Sequence, residues 1–62
     1  MYITEITMSG KPTKTYKTET EAESIKILNK TIEKHPYTRI FASFMDEHRN
    51  RIGYYSNFEV EN

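Results

Sequence analysis

Asp46-Glu47-His48 puts three potential metal ligands in a row. Carboxylate oxygens and an imidazole nitrogen are donors that zinc and related ions accept. Adjacent residues on a turn seldom converge on one ion without a fourth ligand and a supporting outer shell. The only other histidine, His35, ends a helical stretch, where positive charge is favoured in any case. No metal site is expected. The run continues as His48-Arg49-Asn50-Arg51. Two arginines at a turn can hold a phosphate or a carboxylate-rich partner. Asp46 and Glu47 partly neutralise them, so a solvated turn is the simpler assignment.

Covalent catalysis finds less support. Ser43 and Ser56 fall within strand-like segments, where serine is usually a polar position on the pleat. No base is spaced to activate either of them. A phosphate loop needs a run of glycines, and the chain has only Gly10 and Gly53. One helix over one sheet can hardly enclose the ~300 Å³ or more that ligand sites commonly occupy. No enzyme activity and no cofactor are expected.

The stretch Phe41–Phe58, "FASFMDEHRNRIGYYSNF", holds most of the aromatic residues and is the place to look for recognition chemistry. Tyr, Phe, Met and Arg are enriched in the cores of protein interfaces. Aromatics on an open sheet beside arginines also stack the bases of single-stranded nucleic acid. Which side chains share a face depends on the elements that carry them.

"MYITEITM" is rich in β-branched residues and alternates, with Tyr2, Thr4, Ile6 and Met8 on one side. "SGKP" supplies a turn, and "TKTYKT" returns as an edge strand guarded by lysines. "TETEAESIKILNKTIEKH" is a helix. Thr18 with Glu21, or Thr20 with Glu23, forms its capping box. Ala22, Ile25, Leu28 and Ile32 recur at helical spacing as its buried stripe. Ile27 falls outside that stripe, among Glu23, Lys26, Lys30 and Lys34, and is a candidate anchor for a partner. Pro36 ends the helix by disfavouring α geometry at His35. "YTRIFASFM" and "RIGYYSNFEV" are strands joined by the turn "DEHRN". The class is therefore α+β with order ββαββ. A four-stranded, mostly antiparallel sheet carries one helix packed on one face.

Strand alternation sorts the second hairpin into two sets. Ile40, Ala42 and Phe44 form one set, and Ile52, Tyr54, Ser56, Phe58 and Val60 join them under the helix. Tyr37, Arg39, Phe41, Ser43 and Met45 form the other, with Arg51, Gly53, Tyr55, Asn57 and Glu59. The uncovered face then presents Phe41, Met45 and Tyr55, with Tyr37 and Ile3 as further candidates, flanked by Arg39 and Arg51. A β-bulge near Gly53 would shift this parity.

Composition narrows the partners. Sixty-two residues make one small domain, residues 1–62. Without cysteine, disulfides and thiolate metal sites are excluded. Nine basic and nine acidic side chains give a formal charge of zero, unlike a dedicated duplex-DNA binder. The longest strictly apolar run, Ile40-Phe41-Ala42, cannot span a bilayer, and "MYITEITM" lacks the basic start and apolar stretch of a signal peptide. A cytoplasmic protein without membrane contact is expected. Being very small, cysteine-free and rich in Lys, Glu, Asn and Ile, the chain is similar in style to accessory proteins of bacterial viruses that bind and inhibit host factors. The expected function is protein binding without catalysis, to a host factor or as a homodimer. Its contacts would come from Tyr37, Arg39, Phe41, Met45, Arg51, Tyr55 and Ile27. The contrasting expectation is single-stranded nucleic-acid binding by the same sheet face.

Overall fold

The computed structural model describes residues 1–58. Its elements are β1 (Tyr2–Met8), β2 (Lys14–Thr18), α1 (Glu21–Lys34), β3 (Ile40–Met45) and β4 (Arg51–Ser56). The α+β class and ββαββ order expected from the sequence are both present, in one antiparallel sheet of order β2-β1-β3-β4. Two hairpins are thus joined side by side, with α1 as the crossover that lays β3 antiparallel to β1. The strand pairing between hairpins has no local signal, because β1 and β3 meet only after the helix closes a long loop.

The turns follow from their residues. Gly10, at φ 78°, takes the left-handed conformation that costs glycine nothing, and the Lys11 amide bonds the Met8 carbonyl at 3.1 Å. At the second turn Arg49 has φ 64°, unusual for a residue with a Cβ. Asp46 clamps that turn. Its Oδ1 accepts from the His48 amide at 2.8 Å and the Asn50 amide at 2.9 Å.

Thr20 is the helix N-cap: its hydroxyl accepts from the Glu23 amide at 3.2 Å and contacts the Glu23 carboxylate at 3.1 Å. Of the two capping boxes the sequence offers, Thr20–Glu23 forms. Thr18 instead lies at the end of β2, where its hydroxyl is 2.7 Å from that of Ser24, both buried. This contact helps turn the helix away from the expected stripe. The inward side is Ser24, Leu28 and the half-buried Ile27, Thr31 and Ile32, whereas Ala22 is exposed and Ile25 is 51 % exposed.

Residues directly opposite in an antiparallel sheet share a face, so the register defines rows across it. Under the helix run Tyr16–Thr4–Phe44–Gly53 and Lys14–Ile6–Ala42–Tyr55, with Met8 beside Ile40 at the end. Ile6, Met8, Leu28, Ile40 and Ala42 make the core, with Tyr16, Ile27, Ile32, Phe44 and Tyr55 packed at its margin. The helix lies over β1, β2 and β3 and leaves β4 without cover. Among the described residues no helix is long and apolar enough to cross a membrane.

Candidate functional site

The face opposite the helix is built from three further rows. Lys17–Ile3–Met45–Arg51 is the first, Thr15–Glu5–Ser43–Tyr54 the second, and Thr7–Phe41–Ser56 the third. Met45 pairs with Arg51 while Phe44 pairs with Gly53, so Ile52 is an extra residue on β4. This bulge reverses the parity of everything after it. Arg51 keeps the face expected for it. Tyr55, assigned to the open face, packs instead at the margin of the helix-side core, and Tyr54 takes its place outside.

Tyr54 is 65 % exposed, and its ring stacks on Phe41 with centroids 6.1 Å apart and planes 22° from parallel. The two are diagonal neighbours across the β3–β4 pair, within reach for rings. The Arg51 guanidinium lies 5.8 Å from both ring centroids. Its Nη2 also donates to the Ser43 hydroxyl at 3.2 Å. A cation over two aromatic faces, fixed by a hydrogen bond, is pre-organised rather than free to sweep solvent.

Cations surround this cluster. Lys17 ends the first row. Arg49 reaches Glu5 at 3.9 Å, a long and exposed pair. The β1–β3 ladder continues through a Ser9 amide to Arg39 carbonyl bond, so Arg39 falls by alternation on Phe41's side; its guanidinium lies 5.6 Å from the Phe58 ring centroid. Among described residues in strands and at their ends, Lys17, Arg39, Arg49 and Arg51 thus share a side with two carboxylates, Glu5 and, by the same alternation past Thr18, Glu19. A chain with zero formal charge has a locally positive sheet face.

The other expected site residues scatter. Ile3 and Met45 do face away from the helix, yet they are only 5 % and 8 % exposed, with the long stems of Lys17 and Arg51 at either end of their row. Tyr37 is fully exposed in the loop between α1 and β3 and is not part of the sheet. Ile27, expected to stand clear of the core, packs partly against it because the helix is rotated. It lines a shallow depression with Glu23, Lys26 and Lys30. Ile52, expected beneath the helix, is 49 % exposed because α1 does not extend over β4. Val60 and Glu59, assigned to opposite faces of β4, lie outside the described residues. Tyr54 is the exposed aromatic of this cluster that alternation placed under the helix. The Tyr54-Tyr55 doublet was its signal, since neighbours in a strand point oppositely and one tyrosine had to face each way.

On the helix side, the gap beside β4 is an apolar groove of about 150 Å³, lined chiefly by Tyr2, Ile25, Phe44, Ile52 and Gly53. At the hairpin tip the Asn50 amide, then the His48 amide and the Asn50 side chain, hold the Asp46 carboxyl below its ordinary pKa. Both Asp46 oxygens accept bonds from the turn itself. Among the described residues no three His, Cys, Asp or Glu side chains are grouped to hold a metal ion.

No family model matches this sequence, and neither a curated protein nor a solved structure is matched by it.

Proposed function

We propose that this chain is a small non-enzymatic binding protein that occupies a surface on a protein partner through the Phe41–Tyr54–Arg51 face of its sheet. The observation that carries this function is the stacked pair with one guanidinium set over both rings. Such a cluster exposes aromatic area at little entropic cost, since its members already restrain one another. Tyr and Arg are also the side chains over-represented among interface residues that lose most affinity on truncation. Partners are modulated by occlusion, in the manner of the small inhibitory proteins the composition resembles. The groove of about 150 Å³ and the depression of about 250 Å³ beside Ile27 are each below the size usual for a small-molecule site, ~300 Å³ upward, which favours binding over catalysis.

Self-association through this face would set Lys17, Arg39, Arg49 and Arg51 of each copy against one another with Glu5 and Glu19 as the opposing carboxylates, which favours a foreign partner. The same positive charge supports a second function, the stacking of single-stranded nucleic acid on Phe41 and Tyr54. Two alanines, Phe41→Ala and Tyr54→Ala, test both in one preparation. Loss of a protein captured from the native host, with the circular dichroism of the fold intact, is the expected result. Retention of that protein by the double variant sinks the assignment. Loss instead of labelled oligo(dT) binding, with steep salt dependence, transfers the face to nucleic acid.

A further inference from the structure

The two edges of the sheet are not alike. β2 is a guarded edge: Lys14 and Lys17 stand in it and Pro12 precedes it. Among the described residues β4 pairs only with β3 and is not covered by α1, and it contains neither lysine nor proline. Its bulge lies at the Arg51–Ile52 end, so Gly53–Ser56 is a regular strand segment with one side unpaired among the described residues. A strand added there continues the rows of the sheet, and its residues alternate between two environments. On one side it meets Arg51 and Tyr54, backed by Arg49. On the other it meets the groove formed by Ile25, Phe44 and Ile52.

Gly53 shapes the groove. It lies in the helix-side row beside Phe44, and a Cβ built there would contact only Phe44 Cδ2, at 3.9 Å. The position is bare by composition rather than by conformational need, since its φ is not in the left-handed region. A residue of an added strand opposite Gly53 therefore faces no side chain and can lean into about 150 Å³ lined mainly by apolar carbon, with Glu21 and Ser24 on its helix wall. A cavity of that size accommodates a benzene-sized group.

We propose that β4 takes up an extended segment of the protein partner in which acidic and apolar residues alternate, adding a fifth strand to the sheet. The carboxylates lie on the Arg51–Tyr54 side and an aliphatic side chain fills the groove over Gly53. Main-chain hydrogen bonds supply much of the affinity, and the alternation supplies the choice of partner. This inference rests on the docking function proposed above and names its partner's chemistry. Charge complementarity selects the occupant: the positive side disfavours a second copy of the same edge and a basic strand alike.

The test titrates the isotope-labelled protein with the synthetic peptide acetyl-Thr-Glu-Leu-Glu-Leu-Glu-Thr-amide, and with the same peptide bearing Lys for Glu. The acidic peptide is expected to shift the amides of Gly53–Ser56 and to slow their hydrogen exchange, while the basic peptide has no effect. Gly53→Val, which fills the groove from within, and Arg51→Glu, which inverts the charge, are each expected to weaken binding about tenfold, ~1.4 kcal/mol. A Cβ at position 53 meets only ordinary contact at Phe44 and valine suits a strand, so the fold of Gly53→Val is expected to be retained, as its unliganded spectrum would confirm. Equal binding of both peptides, or no response of β4 amides to the acidic one, overturns strand addition. So do tighter binding of oligo(dT) or concentration-dependent β4 shifts without peptide. A host protein whose capture depends on Phe41 and Tyr54, yet leaves β4 exchange unprotected, would keep the docking face and remove only this inference.

Discussion

The two central strands under the helix and β4 beside it differ in almost every physical respect. In β1 and β3, Thr4, Ile40 and Ala42 are fully buried and each strand has ladder partners on both sides. In β4 every residue is exposed or half-buried, one edge is open among the described residues, and a bulge interrupts the register. Yet β4 supplies both Arg51 and Tyr54 to the candidate site. A chain this short rarely derives more than roughly 3–5 kcal/mol from its core, so it cannot bury all four strands equally. Burial is concentrated in β1 and β3 beneath the helix, and the exposed Arg51 and Tyr54 of the candidate site belong to the strand left over. Open faces and edges of low local stability are where binding surfaces are usually found.

Substitutions on either side of this division can break it. Ile40→Ala removes a fully buried side chain between β1 and β4 and is expected to cost about 2–5 kcal/mol. That approaches the whole stability of the domain. Urea unfolding should show little folded protein at ambient temperature, whereas Tyr54→Ala should unfold near the parent midpoint. Comparable losses at the two positions would mean that β4 belongs to the core after all.

A stabilising change on the central strand sharpens the contrast. The Thr4 hydroxyl is buried without a hydrogen-bond partner among the described residues. Thr4→Val keeps the branched shape, removes the unmet polar group, and should stabilise by about 1 kcal/mol in the same urea titration. A loss of stability would reveal a bond this hydroxyl makes to water or a partner.

Ile52→Ser should be smaller again, within about 0.5 kcal/mol, because the side chain is half exposed and α1 does not press on it. A larger loss would show that the groove is closed in solution. The smallest effect belongs to Asp46 at the exposed tip. Its folded pKa is depressed, so the stabilisation is present above the ordinary carboxylate value and is lost as pH falls through the folded one. Asp46→Asn should flatten the acid limb of a stability-against-pH curve by lowering the neutral region slightly towards the level the parent reaches in acid. An unchanged acid limb would mean that the turn's hydrogen bonds do not distinguish the two protonation states.

The open face was only partly legible beforehand. Phe41, Met45 and Arg51 are on the side that alternation assigned them, since β3 is regular and Arg51 precedes the shift. Tyr55 is not, because the extra residue at Ile52 moved every later side chain of β4 to the opposite face. Gly53 marked the place where a bulge was possible but carries no sign of whether one forms. The helix shows the same limit. Its boundaries and cap follow from Thr20, Glu23 and Pro36, whereas its rotation depends on Ser24 meeting Thr18. That contact joins two elements, and a serine beside the apolar stripe gives no local reason to turn inward.

What the amino-acid order determined by itself was the set of elements: where chain stays extended, where it coils, and where turns and caps interrupt it. Those preferences are local, arising from β-branching, helical spacing, glycine, proline and hydroxyl caps acting within a few residues. Tertiary structure decided the strand order, the bulge, the helix's rotation and hence the pairing of Phe41 with Tyr54 rather than Tyr55. Each of these is a choice between arrangements with nearly equal local energies. They are separated only by packing between segments distant along the chain.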